Sequence, residues 1–285
     1  MKTILITGAT EGVGKATAHA LAGQGHRLIL HGRNAGKLKA TLAELKAATG
    51  NPNLTTLVAD LSSLNAVRQL ADTIRRDYNQ IDVLINNAGA MFSQRTVSSD
   101  GFEMMIAVNY FATVVLTENL LPLLKATPGS RIVILSSVGY KQAKPNFDDF
   151  FAERNYAMQR DYFNSKLYCL YYALDLAERL RNSGVTVNAV HPGGVRTQLA
   201  RDFKGPMKWL FSAMMPLFFV SPEQGAETSV YVATAPELNT VTGRYFTKRS
   251  EETLKPIGTN AAYRQKLWAL TEQYIGQFLV GAQEI

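Results

Sequence analysis

Residues 4–15 read Ile-Leu-Ile-Thr-Gly-Ala-Thr-Glu-Gly-Val-Gly-Lys, and the reading of this stretch decides the fold. The apolar run 4–6 predicts a buried strand, Thr7-Gly8 breaks it, and an Ala/Leu-rich pattern over 13–23 predicts a helix. Glycine at Gly8, Gly12 and Gly14 lets the backbone approach a phosphate, and glycine adopts positive φ at no steric cost. The helix start offers unpaired N–H groups and the positive end of a dipole, so the pyrophosphate of a dinucleotide is its natural guest. The spacing is Gly-x3-Gly-x-Gly, which differs from the G-x-G-x-x-G fingerprint, and glycines in one turn serve an ordinary strand-to-helix loop equally well. The flanking sequence has to choose.

Outward from this stretch, apolar runs at 28–30, 54–59, 83–85, 132–135 and 185–190 alternate with helix-forming segments at 35–48, 63–78, 102–124 and 160–181. Ser63 reads as an N-cap and Gly50-Asn51-Pro52 as a helix stop. A helix over 223–233, a short strand over 244–246 and a helix after Asn260 complete the pattern. This alternation predicts an α/β protein, a doubly wound parallel sheet with helices on both faces, as one domain over 1–285. Gly8, Arg33, Asp60, Asn86, Ser137 and Pro192 each follow the C-terminal end of a predicted strand. In an open doubly wound sheet that edge binds ligands, so these residues converge on one crevice.

Composition narrows the classes. With 46% hydrophobic and 19% charged residues, the 285-residue chain can bury one large core. No run reaches the roughly 18–20 apolar residues of a spanning helix, and the first residues form a strand and not a leader, so the expectation is a soluble cytoplasmic protein. The single Cys169 excludes an intrachain disulfide and fits a reducing compartment. His19, His26, His31 and His191 show no ligand spacing, so no metal is expected. The net charge of +7 would suit a polyanion or anionic lipid, but it is spread along the chain with no nucleic-acid motif.

Reaction chemistry enters at Tyr162-Phe-Asn-Ser-Lys166. Four residues apart on a helix, the phenol and the ammonium share a face. An ordinary phenol ionises near pH 10, and a cation beside it favours the phenolate and makes it a usable acid/base. An isolated Tyr-x3-Lys is more often surface decoration.

This pair is not isolated. Thr7-Gly8-x3-Gly12-x-Gly14, Asn86-Asn87-Ala88-Gly89, Asn109, Ser137, Tyr162-x3-Lys166 and His191-Pro192-Gly193 together resemble the short-chain dehydrogenase/reductase family from Lys2 to about Phe246. The resemblance implies a Rossmann fold with a joint cofactor and substrate site. It makes Tyr162 the general acid or base, Lys166 the residue that holds the nicotinamide ribose and favours the phenolate, and Ser137, the second of two adjacent serines, a donor to the substrate oxygen. Asn109 would keep a water that joins Lys166 to a proton relay, or else it is a satisfied buried polar residue. The cofactor-binding residues implied are Gly8, Thr10, Glu11, Gly12, Val13, Gly14, Arg33, Asp60, Leu61, Asn87, Ala88, Gly89, Tyr162, Lys166, Pro192, Gly193, Val195 and Thr197. Asp60 would meet the adenine amine and Thr197 the nicotinamide carboxamide.

Ser137 and Tyr162 stand 25 positions apart, about twice the family's usual separation, so 139–161 contains an insertion. This longer form, with Ser165-Lys166-Leu167 and the late Gly243-Arg-Tyr-Phe246, resembles the retinol-dehydrogenase-like branch, which handles lipophilic alcohols and carbonyls. Cofactor choice is set at the end of the second strand, where an acid would select NAD(H). His31-Gly32-Arg33-Asn34 has none, and Arg33 can pair with a 2′-phosphate, so NADP(H) is expected over NAD(H), with Glu11 in the glycine turn arguing the other way. Residues 195–220 read as a substrate lid, with Arg196, Arg201, Lys204 and Lys208 before the apolar 209–220 segment. Core packing and peripheral membrane contact are the competing readings of 196–220. A homo-oligomer and a non-catalytic dinucleotide sensor both stay open, although a sensor needs the glycine turn without the acid/base set.

Overall fold

The computed structural model describes residues 1–193 and 220–279. Its strands are β1 (Thr3–Ile6), β2 (Arg27–Gly32), β3 (Leu54–Val58), β4 (Val83–Asn86), β5 (Arg131–Leu135), β6 (Thr186–His191), β7 (Tyr245–Thr247) and β8 (Ser250–Glu251). They form one sheet in the order β3-β2-β1-β4-β5-β6-β7-β8. All pairings through β7 are parallel, and β8 runs antiparallel to β7. The helices are α1 (Gly12–Gly23), α2 (Ala35–Thr49), α3 (Leu64–Asp77), α4 (Ala112–Ala126), α5 (Met158–Arg179), α6 (Pro222–Thr234) and α7 (Ala261–Ile275).

Both faces of the sheet are buried because successive apolar side chains point opposite ways. Leu5, Ile29, Leu84 and Ile132 pack against α3, α4 and α5, while Ile4, Ile6, Leu28 and Ile85 pack against α1, α2 and α6. The chain moves outward from β1 to β3 and then returns to lay β4 on the other side of β1. That reversal separates the crossover loops and opens a crevice at the C-terminal ends of β1 and β4. Ser63 caps its helix as read from sequence, accepting from the N–H of Ala66, and Asn260 caps the last helix, accepting from the N–H of Tyr263.

The structure departs from the predicted pattern in three places. The long helix over 102–124 is unbroken but not all α: a π-helical turn, Ile106–Phe111, leads into α4, and Glu103 caps its start by accepting from the N–H of Met105 and Ile106 at 3.0 and 2.9 Å. Residues 106–126 are also apolar enough to span a bilayer by composition, but 83% of the apolar window is buried inside the fold, as a core helix requires. Strand β8, two exposed polar residues, is too short to show any alternation. The insertion folds into two 3-10 turns, Val138–Gln142 and Phe147–Asp149. Its aromatic residues anchor it: Phe150 lies 5.4 Å from Tyr168 of α5, and Phe151 lies 4.8 Å from Tyr274 of α7.

Candidate active site

The glycine turn is shaped by steric exclusion. Gly8 and Gly12 have φ of +66° and +52°, a region that side chains disfavour. Gly14 serves another purpose, since a Cβ there would come within 2.2 Å of Gly8 O and 2.3 Å of Asn87 Nδ2. It lets α1 approach the strand end. Glu11, at the N-cap of α1, makes no side-chain capping bond, and the first turn holds no acidic residue, so its N–H groups suit an anion. Thr10 packs its methyl toward Gly32, and Val13 is buried.

The β1 and β4 ends are locked together. Thr7 Oγ1 accepts from the N–H of Asn87 and Ala88, both at 3.0 Å. Asn87 Nδ2 donates back to Thr7 O and Gly8 O at 2.8 and 3.2 Å. Ala88 lies against Gly8, where an added Cβ would meet its Cα at 3.0 Å. Asn86 turns away and donates to Thr117 Oγ1 inside the core. At the end of β2, Arg33 is exposed, Asn34 caps α2, and Lys37 of α2 is ion-paired to Glu11 across the mouth of the crevice. Asp60 is exposed at the end of β3 and accepts from Ser62 N–H at 3.0 Å, while the Leu61 side chain is buried in the core.

The catalytic candidates are held by side-chain hydrogen bonds. The two serines divide their work: Ser136 is buried and donates to Lys166 O at 2.8 Å, whereas Ser137 is half-exposed and its Oγ accepts from Gly139 N–H at 3.1 Å. That leaves the Ser137 hydroxyl proton free to donate. Gly139 allows the ring of Phe163 to lie against the turn after Ser137, since a Cβ would meet that ring at 2.2 Å. Lys166 is 4% exposed and donates to Leu135 O at 3.1 Å. Its ammonium sits 6.0 Å from the centroid of the Tyr162 ring, and 2.9 Å from where a Cβ on Gly89 would stand.

Asn109 occupies the π turn and is 1% exposed. Its side chain brackets Ala90, accepting from the N–H at 2.7 Å and donating to the carbonyl at 2.9 Å, and also donates to Ser165 Oγ at 3.0 Å. Ser165 Oγ in turn donates to Tyr162 O at 2.8 Å. The carbonyl of Asn109 accepts from Thr113 Oγ1 at 2.9 Å and Cys169 Sγ at 3.1 Å, so both of its acceptor positions are filled. Asn109 therefore braces the loop after β4 against α5. Beyond Pro192, Gly193 has φ +91° and an added Cβ there would meet Val220 at 2.9 Å, while Val195, Thr197 and all of the expected lid except Val220 lie outside the described residues. Among the described residues no group of three or more His, Cys, Asp or Glu side chains could hold a metal.

Sequence reading missed several contributors, among them Thr7, Gly139, Ser165, Cys169 and His31. Thr7, Ser165 and His31 stand inside stretches already quoted, but the role of each of the five is defined only by what it touches.

The family model for short chain dehydrogenases matches residues 2–207. The chain belongs to the short-chain dehydrogenase family and is a catalytic oxidoreductase of the retinol-dehydrogenase-like branch. It is similar to retinol dehydrogenase 14 of Homo sapiens, with 40% identity over 290 residues covering 96% of this chain and 86% of that protein. Among solved structures, an uncharacterized protein from Mycobacterium paratuberculosis superposes with a TM-score of 0.78 at 28% identity, covering 97% of this chain and 94% of the other. A short chain dehydrogenase from Burkholderia cenocepacia in complex with NADP has a TM-score of 0.69 at 25% identity, covering 86% and 95%.

Proposed function

We propose that the protein transfers a hydride between NADP(H) and a lipophilic alcohol or carbonyl compound. The observation that carries the reading is the placement of the Lys166 ammonium between the β4 loop, the end of β5 and the Tyr162 ring. The uncapped start of α1 and the positive-φ Gly8 and Gly12 fit a pyrophosphate, and Lys166, beside Gly89, would hold the nicotinamide ribose. When bound, the nicotinamide supplies or accepts the hydride.

The chain's own residues manage the proton and the charge. Tyr162 Oη exchanges the proton with the substrate oxygen, giving it in reduction and taking it in oxidation. Lys166 holds its ammonium 6.0 Å from the centre of that ring, beside the loop after β4. Ser137 donates to the same oxygen where negative charge develops. Asn109, through Ser165, fixes the turn of α5 that carries Tyr162. Tyr162→Phe is expected to lower kcat by about 10²–10⁴-fold, with NADPH affinity nearly unchanged; equal turnover in a steady-state assay would sink this mechanism.

Arg33, exposed at the end of a β2 that carries no acid, supports NADP(H). A charge-assisted hydrogen bond contributes about 1.5–3 kcal/mol. Arg33→Asp is therefore expected to weaken NADPH binding at least about tenfold while NADH binding holds or improves, and an unaltered preference in parallel titrations would refute the 2′-phosphate role. The lipophilic substrate rests on similarity to retinol dehydrogenase 14 and on the Met/Phe-rich 209–220 sequence. A cytoplasmic location with peripheral membrane contact through 196–220 belongs to the same reading, and liposome flotation at low salt tests the contact.

A further inference from the structure

His31 takes no part in the proton chemistry, yet it is 2% exposed at the heart of the nucleotide side of the crevice. Its Nδ1 accepts from Gly8 N–H across a long 3.4 Å, and its Nε2 faces Ala59 O at 3.1 Å. An amide N–H can only donate and a carbonyl can only accept, so the ring is neutral with its proton on Nε2. Burial pulls its pKa down to about 4, against the opposing pull of Ala59 O and the Asp60 carboxylate, which keeps that acceptor available at neutral pH.

The two groups it joins lie at turns that matter. Gly8 opens the glycine turn at φ +66°, and Ala59 immediately precedes Asp60. A glycine visits positive and negative φ about equally when nothing selects between them. An acceptor buried behind Gly8 N–H makes one of those conformations the stable one before any ligand arrives. A turn already set in its binding conformation avoids the ordering cost that association otherwise carries.

We propose that His31 is a positioning residue for the cofactor, setting the Gly8 turn through Nδ1, while its Nε2 bond to Ala59 carries the smaller share of the effect on binding. The assignment rests on the dinucleotide cradle proposed above. It also separates two roles within one ring, which side-chain geometry can test. Asn places Oδ1 close to the position of Nδ1 and retains an acceptor for Gly8, whereas Gln places Nε2 close to that of the ring and retains a donor for Ala59.

The experiment compares wild type, His31→Asn and His31→Gln by calorimetric titration with NADPH and NADH, by melting temperature and by steady-state kinetics. Both variants are expected to melt lower than wild type. The Kd is expected to rise about tenfold in His31→Gln but by less than about threefold in His31→Asn, within the range of one neutral hydrogen bond, with the loss falling on the cofactor KM more than on kcat. Equal Kd changes in the two variants, or none in either, would overturn the assignment. Imidazole ¹⁵N NMR of the wild type gives a second reading that needs no variant to fold. A protonated Nδ1 in that spectrum refutes the geometry outright. Wild type that binds neither nucleotide overturns the cradle itself and this assignment with it, whereas wild-type binding with indifferent variants overturns only the role of His31.

Discussion

The glycine turn at 8–14 and the serine pair at 136–137 are both strand-end turns on the same crevice, but they are built in opposite ways. The first works by what is absent: a Cβ on Gly14 would fall 2.2 Å from Gly8 O, so the approach of α1 to the strand end depends on a missing atom. The second works by what is present, since Ser136 spends its hydroxyl on Lys166 O and leaves Ser137 free. Adding an atom should therefore break the first region, and removing one should break the second. The consequence differs too, because the first kind of change disturbs backbone and fold, while the second can remove chemistry from an intact protein.

The largest expected effect is Gly14→Ala. Overlap with backbone cannot be relieved by a rotamer change, so a loss of about 4 kcal/mol or more is expected, with cofactor binding lost alongside. Urea denaturation measures it, and a variant of wild-type stability would show that the turn tolerates added bulk. Ser137→Ala is expected to cost about 10²–10³-fold in kcat, as loss of an oxyanion-type donor does, with the melting temperature held. Ser136→Ala should show the reverse emphasis, losing about 0.5–1.5 kcal/mol of stability for one hydrogen bond and much less rate. If the two kinetic outcomes exchange places, the division of labour between the serines is wrong.

Acid should act on both regions together. Burial holds His31 and His191 down to about 4, and among the described residues the Nδ1 of His191 has no partner. The unfolded chain binds these protons near the ordinary value of about 6.5, so the stability is complete above that pH. It falls as pH drops from about 6.5 toward 4 and then levels, by about 3 kcal/mol for each histidine. His191→Phe should flatten the slope of unfolding free energy over that window, and an unchanged slope would show that carboxylates carry the acid response. The smallest effect is the control for the first comparison. Gly23 has nothing within 4 Å of an added Cβ, so Gly23→Ala should be neutral or should stabilise by about 0.5–1 kcal/mol.

Local pattern carried much of this fold. The apolar runs that became β1 through β6 are readable because strands buried on both faces are apolar throughout and bounded by turn residues, and the helix start after Gly8-x3-Gly12 because a helix imposes a period of 3.6. Tyr162 and Lys166 were legible for the same reason, since four residues along a helix is a spatial statement. The two-residue β8 and the π turn at Asn109 were not. The first is too short for a period, and the second is one extra residue per turn inside an unbroken apolar run.

What the sequence determined by itself was the class of fold, the crevice at the strand ends and the residue types that meet there, because each follows from chain periodicity and from glycine's missing side chain. Only the tertiary structure decided which serine is spoken for, that the close approach of α1 to the strand end requires Gly14, and that Asn109 braces α5 through Ser165. It also turned His31 from one of four scattered histidines into a bridge between Gly8 and Ala59. The hydrogen bonds that set the serine, Asn109 and His31 outcomes join residues 23 to 56 positions apart in sequence, and no local preference encodes such a distance. Burial then makes each hydrogen bond decisive, because an unpaired polar group away from water is costly.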